Sequence, residues 1–418
     1  MKKVISIILG VIVLVVAAVG ARYLLAYNGF LDKITMRKPE MKQYSVVVLD
    51  DSELKEFADL EGKSVGFLKT DPKAANASEK LKNEIKVDVD FYEDMDLLIE
   101  TFHNLITDSI ALENDRLEIL KEENVLNNIR TIYTFEIELE SEDMIISEKE
   151  ITAEPFIVYL SGSDSRTGIK TTARSDVNIV VVVNPKQEKI LLVSIPRDTY
   201  VQLHDTVGLK DKLTHAGIYG INMSKTTIED FLNITIDYTI KVSFETVVKV
   251  VDQLDGIDIN SDKEMTLKVE GGQKTCNYVV GTQHVDGDCA LRFARERKSY
   301  ETGDRHRGEN QQQVITSIIG RLSSSKDYLL KIPAILDIAA DSFETTISRE
   351  NVSEFIRRQL TGPVNWKVES ITIDGTGTME PTYSMGTNRP LYVMLPSADS
   401  IQKVTNKINE YLKDEPES

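Results

Sequence analysis

Short apolar segments alternate with amphipathic ones between residues 44 and 150, and their lengths are typical of strands and helices. The predicted strands cover 45–49, 64–68, 87–91 and 106–112, and the predicted helices cover 52–60, 77–85 and 94–103. Because strands separated by helices are typical of βαβ units, we expect a small α/β domain with parallel strands. Eight acidic residues against one lysine between 136 and 154 predict a solvated edge strand followed by a linker.

A second block with strand and helix patterns begins near Pro155. Its most apolar segments, 176–183 and 189–195, are rich in β-branched residues and are separated by a turn at Asn184-Pro185, which predicts two neighbouring buried strands. Further strands are predicted at 156–160 and 366–374, and helices at 224–232, 244–254, 310–322, 328–340 and 397–412. The block is therefore a second α/β unit.

The N-terminal segment is uncharged from residue 4 to residue 21, which is longer than the core of a signal peptide and long enough to span a membrane. We predict an uncleaved anchor; the alternative is a removed signal peptide, since Val19 and Ala21 satisfy the small-residue rule for cleavage. Basic residues flank the segment on both sides, so charge alone leaves its orientation open. The predicted organisation is a cytoplasmic tip and anchor at 1–27, a stalk at 28–43, an accessory α/β domain at 44–150 and the second unit at 151–418.

The net charge of the 418 residues is -18, with 67 acidic side chains against 49 Lys and Arg. Proteins that hold nucleic acid need an excess of basic residues, so no nucleic-acid partner is expected. The segment 292–307 reverses this balance, with six basic residues against three acidic ones. Arginine recognises phosphate oxygens through a planar fork, so this segment is a candidate anion site. A surface cluster of ion pairs would have the same composition.

Charged residues also stand at the ends of the apolar elements, where α/β proteins commonly bind ligands. Arg174 and Asp176 open one predicted strand and Arg197 follows the next. Arg295 and Arg297, if extended, would project to one side of the chain. Asp304, Arg307 and Gln311 share one face at the start of a predicted helix, and a helix N-terminus itself favours anions.

Asp164 and Asp176 are hard oxygen donors of the kind that Mg²⁺ takes beside substrate phosphates, although an isolated Asp next to Ser or Gly is also typical of a turn or cap. The sequence has no P-loop, which disfavours a soluble nucleotide kinase. Cys276 and Cys289 are the only cysteines. Spacing alone leaves a disulfide and two buried thiols equally open.

Taken in order, these stretches resemble the LytR-CpsA-Psr (LCP) family over about residues 155–325. The motifs that carry the resemblance are Gly162-Ser163-Asp164-Ser165-Arg166, Arg174-Ser175-Asp176, Ser194-Ile195-Pro196-Arg197-Asp198, Lys212-Leu213-Thr214-His215-Ala216, Arg295-Glu296-Arg297, Gly303-Asp304-Arg305-His306-Arg307 and Asn310-Gln311. The resemblance implies a mixed central sheet flanked by helices, so that 151–418 would be the catalytic domain. It also implies a single-pass protein of the Gram-positive cell membrane, with its C-terminal domains outside the cell.

The resemblance further implies the reaction: transfer of a teichoic acid, capsular polysaccharide or similar glycopolymer from a polyprenyl-pyrophosphate carrier to peptidoglycan, forming a phosphodiester. Asp164 and Asp176 would hold Mg²⁺, and Asp304 would orient arginines or act as general base. The residues expected to bind the pyrophosphate are Arg174, Arg197, Arg295, Arg297, Arg307 and Gln311, with Arg197, Arg295 and Arg297 also expected to assist catalysis. Lys212 is a less secure match.

The preceding α/β block and the cysteine pair are similar to the capsule-associated branch of the family, which favours a capsule-type polymer and a disulfide. Membrane proteins of polysaccharide assembly are further expected partners. Two other functions stay open. One is a pyrophosphatase that hydrolyses the lipid-linked donor without an acceptor, and the other is a non-enzymatic sensor or assembly factor that binds lipid pyrophosphate without turnover.

Overall fold

The protein is described here from a computed structural model. The structure describes residues 41–138, 147, 149–163, 172–269, 272, 274–325, 327–328, 331, 342–361 and 365–413. Within these ranges no helix combines the length and the apolar character that crossing a membrane requires. The predicted anchor, the stalk as far as residue 40 and most of the helix predicted at 328–340 lie outside the described residues.

A five-stranded mixed sheet with helices forms the first block, in the strand order β3-β2-β4-β1-β5. Its strands are β1 (Met41–Leu49), β2 (Ser64–Leu68), β3 (Asp88–Tyr92), β4 (Ser109–Glu113) and β5 (Ile129–Glu138), and its helices are α1 (Ala74–Glu84), α2 (Met95–His103) and α3 (Asn114–Glu122). The last three residues of the predicted stalk are the start of β1. The acidic residues up to Glu138 lie on β5, an edge strand of this sheet.

The expectation of parallel strands is right for β2, β3 and β4 and wrong for β1 and β5, because β1 pairs antiparallel with both β4 and β5. The connection that follows β1 also differs from the prediction. Instead of the helix predicted at 52–60, only one short 3-10 turn forms, at Phe57–Leu60, where Asp59 accepts hydrogen bonds from two preceding backbone N–H groups.

The second block is built on a six-stranded mixed sheet in the order β16-β11-β6-β7-β8-β17. Its strands are β6 (Phe156–Ser163), β7 (Val177–Asn184), β8 (Lys189–Ser194), β11 (Tyr238–Ser243), β16 (Phe343–Thr345) and β17 (Lys367–Thr372). The predicted neighbours β7 and β8 pair antiparallel, whereas β6 with β11 and β8 with β17 are parallel. The mixed central sheet that the family resemblance implied is confirmed.

Helices cover both faces of this sheet, so its central strands β6, β7 and β8 are buried on both sides. The helices are α4 (Leu213–Ala216), α5 (Ile221–Leu232), α6 (Phe244–Gln253), α7 (Gly287–Ala294), α8 (Asp304–Ser324), α9 (Arg349–Thr361) and α10 (Ala398–Tyr411). One face packs against α5 and α10 through Ile228, Val404 and Ile408, and the other packs against α8 and α9 through Ile315 and Phe355. Burial of this kind is the main stabilising contribution to the fold.

Three smaller strand pairs and a hairpin extend the second block. They are β9 (Tyr200–Val201) with β10 (Asp211–Lys212), β12 (Ile257–Ser261) with β15 (Gly281–Val285), β13 (Met265–Lys268) with β14 (Thr275–Tyr278), and β18 (Gly375–Thr382) with β19 (Gly386–Pro396). Cys276 on β14 and Cys289 on α7 are joined by a disulfide, with 5.6 Å between their Cα atoms. The bond ties this β-rich segment to the helix that leads to Arg295.

The two blocks share a buried apolar cluster. Ile218, Met385 and Leu391 of the second block pack with the side chains of α2 and α3 of the first. Charges are buried at the same place: the Arg116 Nη2 donates to the Tyr219 hydroxyl at 3.0 Å. Because an unpaired charge here would cost several kcal/mol, this interface fixes α3 against the second block.

Candidate active site

Asp176 and Arg197 meet at one edge of the second sheet. Asp176 stands directly before β7 and Arg197 follows β8, and because these strands are antiparallel the start of one lies beside the end of the other. The Arg197 Nη1 donates to the Asp176 Oδ1 at 2.7 Å. Both side chains line a cavity of about 610 Å³.

Arg197 is surrounded by carboxylates. Besides its bond to Asp176, its Nε lies 3.8 Å from the Asp198 Oδ2 and 3.9 Å from the Asp304 Oδ1. Burial acts to lower the pKa of Arg197, but Asp176 and Asp198 outweigh it and raise that pKa. The Lys212 Nζ lies 3.1 Å from the other oxygen of Asp198. Arg197 is therefore a fixed cation whose position several side chains determine.

Asp304, Arg307 and Gln311 occupy one face of the first two turns of α8, as their spacing predicts. The Arg307 Nη2 is 2.6 Å from the Asp304 Oδ1, and the two side chains are only 11% and 21% exposed. Burial raises the pKa of Asp304 and lowers that of Arg307. Arg307 and Gln311 line the cavity, whereas Asp304 lies behind Arg307 and Arg197.

Arg295 and Arg297 line the same cavity, but Arg295 does not have the extended conformation that was considered for the pair. Arg295 follows the last residue of α7 with helical dihedral angles, and its guanidinium lies 4.9 Å from the centre of the Phe244 ring. Glu296 points away from the cavity and binds Arg292 at 2.7 Å. A turn, and not a strand, therefore brings both arginines to the cavity.

Arg174 completes the basic wall of the cavity, and its partner comes from the first block. Its Nη1 and Nη2 donate to the two carboxylate oxygens of Glu122 at 2.8 and 3.0 Å, and its Nη2 lies 3.6 Å from Glu118. Burial acts to lower the pKa of Arg174, and the bonds to Glu122 more than offset it. In return, Arg174 lowers the pKa of Glu122.

The first block supplies the opposite, largely acidic wall, which sequence reasoning missed. Its lining residues are Lys42, Gln43, Glu113, Asn114, Asp115, Glu118, Lys121 and Glu122. All but the first two belong to β4 and α3. The only sequence signal was the amphipathic pattern of Leu117 and Leu120, which could have identified the helix but not its position over the arginines.

His215 belongs to the same sequence motif as Lys212, and it helps to fix the segment from which Lys212 reaches Asp198. It is 2% exposed, and its Nδ1 lies 2.6 Å from the Asp211 Oδ1 and 2.9 Å from the Ser384 Oγ. The Ser384 backbone N–H donates to the other oxygen of Asp211 at 2.8 Å. These bonds fix the chain at β10, next to the lysine that reaches Asp198.

The cavity has carboxylate chemistry that suits Mg²⁺. Asp176 lines it, and among the described residues Arg197 bonds to one of its oxygens, so the second oxygen is the candidate ligand. Mg²⁺ takes one or two carboxylates and fills its remaining positions with water and phosphate oxygens, so this site fits the ion. Asp164 lies outside the described residues. Among the residues that are described, no group of three His, Cys, Asp or Glu side chains forms a metal site.

The model of the LytR_cpsA_psr family matches residues 124–410 of the chain. The chain belongs to this family. As an LCP protein it is 30% identical over 272 residues to the polyisoprenyl-teichoic acid–peptidoglycan teichoic acid transferase TagV of Bacillus subtilis (strain 168), a match that covers 64% of this chain and 68% of TagV. It is 32% identical over 269 residues to the TagU transferase of the same description from Bacillus anthracis, covering 64% and 82% of the two chains.

Solved LCP structures agree with this assignment. The crystal structure of B. subtilis TagV covers 63% of this chain and 99% of that one, with 30% identity and a TM-score of 0.52. A structure of TagT bound to LIIa-WTA covers 64% and 94%, with 26% identity and a TM-score of 0.50. This LCP protein therefore has the fold of its family, with one cavity lined by most of the predicted site residues. They are Arg174, Asp176, Arg197, Arg295, Arg297, Arg307 and Gln311.

Proposed function

We propose that the protein transfers a glycopolymer from a polyprenyl-pyrophosphate carrier to peptidoglycan. The observation that carries the proposal is the convergence of five arginines on one cavity in a chain whose net charge is -18. Membership of the LCP family supports it, as do relatives named as teichoic acid transferases that act on peptidoglycan.

In the proposed reaction, a hydroxyl oxygen of peptidoglycan attacks the phosphorus that carries the glycopolymer. The new bond is a phosphodiester, the P–O–P bond of the carrier breaks, and polyprenyl phosphate leaves with the electron pair. The hydroxyl proton passes to a base or to solvent. Such transfer depends on positioning and on neutralising charge more than on covalent chemistry by the protein. Because breaking the P–O–P bond of the donor supplies the leaving group, polyprenyl phosphate, no nucleotide is required.

The arginines would bind the pyrophosphate oxygens. Each charge-assisted hydrogen bond contributes roughly 1.5 to 3 kcal/mol. Arg197 and Arg307 are held by Asp176 and Asp304 before any donor arrives, so little ordering would accompany binding. Because Asp304 lies behind these arginines, we assign it the positioning role in preference to that of general base.

Mg²⁺ is the proposed cofactor, held by Asp176 and by Asp164. When bound, the ion would neutralise charge on the pyrophosphate oxygens. The fit of Asp176 to the preferences of Mg²⁺ supports this proposal. Loss of magnesium binding in Asp176→Asn, measured by titration calorimetry with the metal alone, would be the direct test.

We further propose that residues 1–27 anchor the chain in the cell membrane of a Gram-positive bacterium with the later domains outside the cell. The family relatives named above act on teichoic acid, whereas the α/β block before the family core and the bond between Cys276 and Cys289 favour a capsule-type polymer. A competition between lipid-linked teichoic acid and lipid-linked capsular repeat units would decide between these donors.

The transfer is tested with the full chain in detergent, a lipid-pyrophosphate-linked glycan, peptidoglycan fragments and Mg²⁺. A glycan–peptidoglycan conjugate is expected, and the double variant Arg295→Ala, Arg297→Ala should reduce its yield at least about tenfold. Lys298→Ala is the matched control, because Lys298 is a neighbouring exposed cation that does not line the cavity.

An unchanged yield in the double variant would refute the site. Glycan phosphate released at the same rate without acceptor would indicate the pyrophosphatase. Tight binding without any turnover would indicate the sensor.

A further inference from the structure

The first block places a carboxylate where the donor's phosphate would bind. Arg174 lies at the cavity, and both terminal nitrogens of its guanidinium are bonded to Glu122. A guanidinium binds a phosphate through the same planar fork that it offers to a carboxylate. Glu122 and a pyrophosphate oxygen therefore compete for one edge of Arg174.

We propose that Glu122 on α3 is an internal competitor for the donor, which holds Arg174 in the free protein and lowers the affinity of the cavity for pyrophosphate. The inference rests on the proposed function, because it takes Arg174 as a donor-binding residue. Through Glu122, the first block would therefore lower the affinity of the cavity for the donor.

The acidic face of α3 is aligned for this role. Asp115, Glu118 and Glu122 follow one another at intervals of three and four residues, so they share one face of the helix, and all three line the cavity. The backbone of Arg174 also acts to lower the pKa of the Asp115 carboxyl, against the effect of burial. The helix thus contacts both the main chain and the side chain of that arginine.

The exposures of the partners indicate how the contact would open. Arg174 is 17% exposed, but Glu122 is 59% and Glu118 65% exposed. An ion pair with one solvated partner is weak and is easily exchanged for another anion. Movement of the whole block is disfavoured, because α3 packs with Ile218 and Leu391 in the shared apolar cluster. Rotation of the Glu122 side chain into solvent is therefore the expected opening step.

The other cavity arginines differ in this respect. The partners of Arg197 and Arg307 are Asp176 and Asp304, which lie within the second block and are 18% and 21% exposed. Asp304 does not line the cavity, and Asp176 lines it from the same block as Arg197. Glu122, at the end of α3 on the opposite wall, faces the arginine from the side from which a donor would approach.

The test is the affinity of the full chain for inorganic pyrophosphate, measured by calorimetry at low ionic strength. Glu122→Gln should bind about fivefold more tightly than the wild type, the gain expected when a weak competing ion pair is removed. The matched control is Glu123→Gln, which removes the same charge one residue further on, at an exposed side chain that does not line the cavity. Its affinity should equal that of the wild type.

Arg174→Ala separates this inference from the proposed function. We expect Arg174→Ala to bind pyrophosphate more weakly than the wild type. Adding Glu122→Gln to that variant should then bring no gain in affinity. If Arg174→Ala binds as the wild type does, Arg174 is not a donor ligand and both proposals for it fail. If Arg174→Ala binds weakly but Glu122→Gln is unchanged or weaker, the site stands and the competitor inference is wrong, with Glu122 then acting to position Arg174.

Discussion

Replacing Asp304 by Asn tests whether this carboxylate positions the arginines or removes a proton. The substitution keeps the size of the side chain and removes its charge. The Arg307 Nη2 would lose a charge-assisted bond at 2.6 Å, and the Arg197 Nε would lose a carboxylate at 3.9 Å. Both guanidinium groups would then be held less firmly at the cavity.

The size of the effect follows from the 2.6 Å contact. A charge-assisted hydrogen bond contributes roughly 1.5 to 3 kcal/mol, and about 1.4 kcal/mol corresponds to a tenfold change in affinity. The loss is partly offset, because the variant also removes a negative charge close to the pyrophosphate. We therefore expect pyrophosphate to bind Asp304→Asn about tenfold more weakly, while Asp304→Glu, which keeps the charge, restores part of the affinity.

Calorimetry with pyrophosphate and the pH dependence of transfer together decide the question. Burial raises the pKa of Asp304, so in the wild type its carboxylate is protonated, and its hold on Arg307 lost, as the pH falls through that raised value. Affinity should fall with it, and Asp304→Asn should show no such fall. The positioning role would be refuted if Asp304→Asn bound pyrophosphate as the wild type does but turned over about 10²-fold or more slowly. If its pH–rate profile also lost the acidic limb, Asp304 would be identified as a general base.

Three further predictions concern stability and the shape of the site. Replacing Cys276 and Cys289 by Ser should destabilise the protein by about 3 kcal/mol, the contribution expected for a bond across 13 residues, and thermal unfolding with and without reductant measures it. Burial raises the pKa of Asp115 to about 7, so the folded state retains a proton that the unfolded chain releases near pH 4, and the unfolding free energy should fall as pH rises through this window. In Asp115→Asn, urea unfolding should show that dependence reduced by up to about 4 kcal/mol. Gly217→Ala would place a Cβ 2.4 Å from the Ala173 carbonyl oxygen, and we expect a loss of about 1–3 kcal/mol in unfolding free energy and weaker pyrophosphate binding as the adjoining Arg174 shifts.

Sequence patterns predicted the central strands well because their side chains are buried on both faces. The run at 176–183 became β7 and the run at 189–195 became β8, each shifted by no more than one residue at its ends. The helix over 310–322 was also present, but it begins earlier, at Asp304. Apolar periodicity reports only the buried part of an element, so the polar first turns of this helix were indicated only by the spacing of Asp304, Arg307 and Gln311.

The acidic wall was missed for a different physical reason. Helix α3 carries Arg116 on its buried face, 2% exposed and bonded to Tyr219, and a buried arginine obscures the apolar stripe that marks a helix. Its contact with Arg174 joins residues 52 positions apart in different blocks. Local pattern carries no information on such a contact, because it depends on how the two blocks pack.

The charges of the cavity explain how an acidic protein could accept an anionic donor. The net charge of -18 repels anions at long range, but salt at physiological strength screens that repulsion within about 8 Å. Selectivity then depends on contacts inside the cavity, where Arg197 and Arg307 already have carboxylate partners from their own block. A donor can join these arginines without displacing their partners. At Arg174 it must displace Glu122, so this ion pair between the two blocks is where donor binding and the first block are coupled.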